Sequence, residues 1–252
     1  MTRRTTGGYR RAVATPEPVT VTAPRPVRRT VLRQEWRDVG FLHWRVAPET
    51  AAALLPPGTE PDLHEGGTYV GLVAFRVRHT APLGTLPLPY VGDFDEVNVR
   101  LYSVDGAGRR GVVFLSLDAS RFAAVLAARA VGVPYRWSRT RIASTTEGRW
   151  HGTSRRYRTG VGCNVLLDVA GPIPRPSPLE VFLTARWGLH LQRAGRTVYW
   201  PNEHPPWQLH AARAVAVEED LVAAAGLPDP GRPPESVLYS PGVPAHFGPP
   251  GP

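Results

Sequence analysis

Residues 94–102 read FDEVNVRLY, in which apolar Val97, Val99 and Leu101 alternate with Glu96, Asn98, Arg100 and Tyr102. A period of two predicts a strand with one apolar and one polar face. The same alternation runs through TYVGLVAFRVRHT (68–80), where Tyr69, Gly71, Val73, Phe75 and Val77 share a face. GVVFLSLDA (111–119) follows an Asp105-Gly106 turn and predicts a hairpin partner for the 94–102 strand. An aromatic-rich opening carries Trp36, Phe41 and Trp44, and more strand pattern covers residues 141–158, 162–171, 195–200 and 210–217.

Helical patterns are few and short. Pro48 with a run of alanines predicts a helix over 48–55, stopped by Pro-Pro-Gly. Alanine dominates 120–132, with Asp118 or Ser120 as cap and Gly132 and Pro134 as the stop. Residues 176–191 predict a further helix capped by Ser177, with Leu179, Phe182, Leu183 and Trp187 on one face. The last stretch, from Gly231, is proline-rich and reads as largely irregular. The expected fold is mainly β (α+β): antiparallel strands with two or three short helices around one core.

Composition changes this picture in three places. The formal charge is +9, but residues 1–30 hold seven arginines and one glutamate, so the remaining chain carries only +3. Residues 1–30 lack hydrophobic periodicity and are expected to be a disordered basic tail, followed by a single domain over 31–246 and a flexible Pro/Gly-rich end at 247–252. One cysteine, Cys163, excludes an internal disulfide and favours a reducing cytoplasm; set in VGCNVLL, it reads as a buried small hydrophobe. No stretch approaches a membrane helix. All the basic residues are arginine, and there is no lysine.

The segments FLHW, LLPPG, FDEVNVRLY, VVFLSLDA, ARAVGVPYRW, LEVFLTARW and HPPW, in that order, resemble an uncharacterised bacterial family, YqjF-like or domain of unknown function 2071. The resemblance implies an acetoacetate decarboxylase-like fold, an antiparallel β-barrel with flanking helices around an internal cavity. In the decarboxylase a strand glutamate precedes Gly-x-Pro-Lys-Lys; the first lysine forms an imine and the second lowers its pKa. Here Glu96 matches the glutamate and Gly132-Val133-Pro134 match Gly-x-Pro, but Tyr135 and Arg136 stand at the lysine positions. An imine needs a primary amine, which neither a phenol nor a protonated guanidinium supplies. Schiff-base decarboxylation is therefore excluded for the folded body.

The resemblance turns the polar face of the 94–102 strand towards a cavity. Glu96, Arg100 and Tyr135 are then the candidate catalytic residues: Glu96 as general base, Arg100 as a bidentate carboxylate binder, Tyr135 as proton donor or anchor. Asn98, Tyr102, Arg136, His204 and Trp207 are candidate substrate-binding residues. His204 and Trp207 match the family's His-x-x-Trp element and either border the pocket mouth or anchor their loop. His43 reads as a core histidine. Where the family has Glu-Arg-Tyr, this chain has Ala185-Arg186-Trp187, which removes the glutamate. Histidine spacing gives no metal motif, and no nucleotide fingerprint is present.

The expected protein is cofactor-free and binds a small organic, anionic molecule, either as an acid–base enzyme or as a non-enzymatic binder or sensor. A third reading has it associate with nucleic acid through the basic tail, without sequence-specific recognition. A homo-oligomer is compatible with all three.

Overall fold

The computed structural model describes residues 14–251. The chain runs β1 (Leu32–Val46), α1 (Pro48–Ala52), β2 (Thr59–Pro61), β3 (Thr68–Pro82), β4 (Phe94–Asp105), β5 (Arg110–Ala119), α2 (Phe122–Ala130) and β6 (Tyr135–Ser144). It continues through β7 (Arg149–Arg156), β8 (Gly162–Pro172), α3 (Pro178–Thr184), β9 (Gly188–Arg193), β10 (Arg196–Glu203), β11 (His210–Glu219), α4 (Leu221–Ala224) and β12 (Ser236–Phe247). Alternation dictates the strands, and proline and alanine dictate the short helices, as the sequence leads one to expect.

Nine strands close a barrel in the order β5-β6-β7-β8-β11-β12-β1-β3-β4, with β4 pairing back onto β5. A second closure shares five of them. The β9–β10 hairpin bridges from β5, at Val112↔Leu189, to β12, at Asn202↔Phe247 and Glu203↔His246. The wall β12-β1-β3-β4-β5 thus belongs to two rings, and each of its faces belongs to one of them. On one face Leu42, Leu72, Val97, Val99 and Leu101 pack with Ile142, Trp150 and Leu167 of β6–β8 inside the nine-stranded ring. On the other, Phe41, Val73, Phe75, Phe94 and Leu238 pack with Val125 of α2 and Leu209. Further along that face Tyr69, Tyr102 and Val112 meet Phe182, Leu183 and Leu189 of α3 and β9. Full burial of one such aliphatic side chain stabilises by about 1.5–3 kcal/mol, so both faces are structural.

Three expectations are corrected. The helix over 176–191 is only α3, where a Ser177–Glu180 capping box starts the helix and Ala185 ends it; the rest becomes β9. Strand pairing of Gly188–Arg193 with β10 outweighs the helical spacing of its leucines. Trp187 therefore lies between elements and not on a helix face. Next, the final stretch is not irregular: β12 pairs with β1 from Ser236 to Phe247. Its prolines are tolerated through a local irregularity opposite Asp38, where Gly242 adopts φ +124° and a Cβ would come 1.9 Å from the Trp36 carbonyl oxygen. Finally, the expected caps of α2 are used elsewhere. Asp118 takes two hydrogen bonds from Arg156 Nε and one from Nη2, and Ser120 Oγ accepts from the Asp95 backbone.

Of the tail expected to be disordered, residues 1–13 lie outside the described residues. Residues 14–30 have no regular secondary structure but are tied to the body. Trp187 Nε1 donates to the Thr20 carbonyl at 3.1 Å, the Val27 amide donates to Glu203 at 2.7 Å, and Val19 packs beside Phe182 and Leu189. Composition alone could not register these long-range contacts. Pro252 is likewise outside the described residues, while Gly251 bridges to Tyr199.

Candidate ligand site

β4 presents four alternate polar residues to the second compartment, and all four are buried: Glu96 at 3 % exposure, Asn98 at 2 %, Arg100 at 9 % and Tyr102 at 0 %. Their register neighbours on that face are Phe75, Val73 and Gly71 of β3 and Ala119, Leu117 and Phe114 of β5. Four polar side chains thus stand in a largely apolar shell, where each needs a partner.

At one end Tyr135 Oη donates to Glu96 Oε2 at 2.5 Å, and Asn98 Nδ2 donates to Oε1 at 3.1 Å. Tyr135 gets there because β6 starts beside Leu117 of β5, directly after the Gly132-Val133-Pro134 turn. Its ring is half-buried while its hydroxyl turns inward. Burial pushes the Glu96 carboxyl up to about 7; the hydrogen bonds from Tyr135 and Asn98 oppose that rise and the Asp118 carboxylate adds to it. Burial, and then Glu96 itself, raise the Tyr135 hydroxyl well above its ordinary value, so it stays a donor. Asn98 Oδ1 has no partner.

At the other end Arg100 Nη2 donates to the Leu183 carbonyl at 2.9 Å, and its Nε lies 3.4 Å from Tyr102 Oη. No acidic side chain pairs with it among the described residues. Tyr102 Oη also donates to the Leu183 carbonyl at 2.8 Å and sits 2.8 Å from His43 Nε2. A hydroxyl has one proton, so His43 Nε2 is the donor of that pair, and Nδ1 keeps a lone pair that finds no partner. Burial, with Arg100 and Arg186 nearby, holds His43 well below the ordinary imidazole range, hence neutral. Gly71 makes room for this meeting, because a Cβ there would stand 3.1 Å from the His43 ring and 3.2 Å from the Tyr102 hydroxyl.

His204 and Trp207 join an aromatic cluster at the rim. His204 lies 4.5 Å from Trp187 and 4.7 Å from Trp207 between ring centroids, and Trp36 stacks on Trp207 at 6.0 Å. Trp207 Nε1 donates to the Thr184 carbonyl and His204 Nδ1 bonds the Pro205 carbonyl, so both anchor their loop. Burial holds His204 down to about 4, against the Pro205 hydrogen bond and with help from Arg100. Of the two roles expected for His204 and Trp207, these hydrogen bonds support the anchoring one. Arg136, next to Tyr135 on β6, is exposed.

Sequence reasoning missed a second cluster. Arg186, 5 % exposed, donates from Nε to the Phe182 carbonyl and from Nη1 to Asp62, while its Nη2 is buried without a partner. Its guanidinium carbon lies 4.7 Å from the Tyr102 ring and 4.2 Å from that of Phe182. Arg110 reaches the other oxygen of the same aspartate. Asp62 is thus the carboxylate paired with Arg186, and nothing in the local sequence around it signals the pairing.

Three surface clefts, of about 750, 440 and 470 Å³, are lined by none of Glu96, Asn98, Arg100 and Tyr102. The second runs along Gly132, Val133 and Pro134 and reaches Phe114, the register partner of Arg100. Cys163 lines the third, and burial first, then Asp118 and Glu219, push its thiol up to about 12, consistent with a packing role. Among the described residues no cluster of histidine, cysteine and carboxylate groups could hold a metal, and no helix is long and apolar enough to cross a membrane.

Comparison with known proteins agrees with this geometry. The model of the DUF2071 family, described as an uncharacterized conserved protein, matches residues 33–244. The uncharacterized protein YqjF of Bacillus subtilis (strain 168) is 27% identical over 203 residues, covering 78% of this chain and 82% of that one. Among solved structures, the enduracididine biosynthesis enzyme MppR in complex with pyruvate has a TM-score of 0.57 at 15% identity, with 87% of this chain and 88% of that one covered. An acetoacetate decarboxylase-like enzyme from Sphingomonas wittichii RW1 gives 0.59 at 13%, covering 88% and 92%. The acetoacetate decarboxylase of Legionella pneumophila gives 0.57 at 14%, covering 90% and 89%. At these identities the likeness is one of fold, and the fold is acetoacetate decarboxylase-like.

Proposed function

The chain belongs to the DUF2071 family, and from that premise we propose that it binds a small organic anion in the second compartment, with Arg100 as the anion's partner. One observation carries this reading. Arg100 is a buried guanidinium that, among the described residues, pairs with no carboxylate and is hydrogen-bonded to a carbonyl and a phenol. A lone buried charge is costly, and a bidentate carboxylate is the partner its geometry fits. The unpartnered Asn98 Oδ1 and His43 Nδ1 supply acceptors for a ligand's hydroxyl or amide. The cleft lined by Phe114, the register partner of Arg100, is the candidate approach to it.

Glu96 and Tyr135 form the acid–base pair of this reading. A carboxyl near 7 exchanges a proton at neutral pH, and Tyr135 stays protonated beside it. Proton abstraction next to a carbonyl needs no amine, so it is compatible with the absence of lysine. A second reading, a binder without turnover, is favoured by the fact that both Glu96 oxygens are already hydrogen-bonded.

Pyruvate, the ligand named in one MppR structure, is the first probe. The acid–base reading expects exchange of its methyl protons in heavy water, followed by proton NMR, to be accelerated by the chain and lost in Glu96→Gln with affinity kept. Binding without any exchange supports the binder. No binding by pyruvate or other small carboxylates, in a chain that is folded, contradicts both.

A further inference from the structure

We infer that the ligand carries two anionic groups, one on Arg100 and one on Arg186. The inference rests on the reading that the compartment binds a small organic anion, and it names the class within that reading. Both guanidiniums lie against the Tyr102 ring, Arg100 at 5.5 Å and Arg186 at 4.7 Å from its centroid. His43 Nε2 meets the hydroxyl of that same tyrosine at 2.8 Å.

The charge count around that ring does not close. Arg100 and Arg186 lie against it, Arg110 and Arg186 pair with its neighbour Asp62, and among the described residues Asp62 is the one carboxylate that pairs with any of the three. Glu96 lies beyond Asn98 and is engaged by Tyr135. Arg110 is partly exposed and is screened by water, but Arg100 and Arg186 are not. Arg186 spends Nε on a carbonyl and Nη1 on Asp62, which leaves Nη2 buried and free to donate. An unmet donor on a nine-tenths buried cation is costly, and an anionic oxygen offsets it best. A monocarboxylate satisfies Arg100 alone. A dicarboxylate, or an acid bearing a second anionic group, satisfies both.

The test is a titration of the full chain by calorimetry with succinate and glutarate against butyrate and valerate, matched in length. The dicarboxylates are expected to bind more tightly by about tenfold or more. Arg186→Met is expected to erase that preference by weakening dicarboxylate binding more than monocarboxylate binding, whereas Arg100→Met weakens both classes. Arg186→Lys, which keeps the charge, restores part of the preference and serves if the methionine variant does not fold. Asp62→Asn removes the competing carboxylate and is expected to move the preference the other way, towards tighter dicarboxylate binding. Equal affinity for the two classes in the wild-type chain, or an equal loss of both in Arg186→Met, overturns the two-anion inference and leaves the anion-binding reading standing. Absence of binding by every carboxylate overturns both.

Discussion

One strand, β4, gives its alternate residues to two different environments. Val97, Val99 and Leu101 enter an apolar interior closed by β6–β8, whose members need only fit. Glu96, Asn98, Arg100 and Tyr102 enter a compartment closed by α2, α3 and β9–β10, where each polar atom needs a named partner and several lack one. Burial is nearly the same on the two faces, so exposure does not distinguish them. What differs is the completeness of the contacts. A filled apolar face stabilises, and an incompletely partnered polar face costs stability. The lesson is that a chain of this fold can lose its amine and keep a charged interior.

Substitutions on the two faces should separate accordingly. The largest effect is expected for Leu101→Ala, which empties a wholly buried site: about 2–5 kcal/mol of stability, read by urea unfolding. A loss well below that range would mean that the apolar face is not the packed one. Next comes the pH dependence carried by Glu96. Its folded carboxyl titrates near 7 against an ordinary value of 4.5. Between those values the folded chain keeps a proton that the unfolded chain has shed, so stability falls as pH rises through that window. Glu96→Gln is expected to flatten the decline by up to about 3 kcal/mol, measured as unfolding free energy against pH. An unaltered profile would place Glu96 in contact with water.

Smaller effects belong to the rim. Trp207→Phe removes the hydrogen bond to the Thr184 carbonyl but keeps most of the ring packing, at about 0.5–1.5 kcal/mol in thermal unfolding. A larger loss would make that loop part of the core. The smallest expected effect is none at all. Borohydride added to the chain with a β-keto acid should leave the mass of the folded body unchanged, and a trapped adduct there would show that an amine had been overlooked.

Much of this was readable beforehand, and the reasons are local. Alternation placed β4, β3 and β5 and separated the two faces of β4, because strand periodicity needs no knowledge of the rest of the fold. Resemblance to a family then turned the polar face inward. Conflicting local signals hid the rest. Leucines at helical spacing disguised β9, and prolines disguised β12, whose pairing with β1 spans the whole barrel in sequence. Asp62 and Arg186 are more than a hundred positions apart, and their pairing arises only once α3 has been packed against the wall. Tyr135 was legible as the residue at a lysine position, but the hydrogen bond from its hydroxyl to Glu96 was not.

Neighbouring residues 100 and 101 allow the most direct test, because each samples one compartment. In paired titrations with a small carboxylate and paired urea unfolding, Arg100→Met is expected to lose binding and to keep wild-type stability to within about 1 kcal/mol, or exceed it. Leu101→Ala is expected to lose stability and, where folded, to bind as before. If Arg100→Met binds the carboxylate as tightly as the wild-type chain, the polar face of β4 is a closed structural network and not a ligand site.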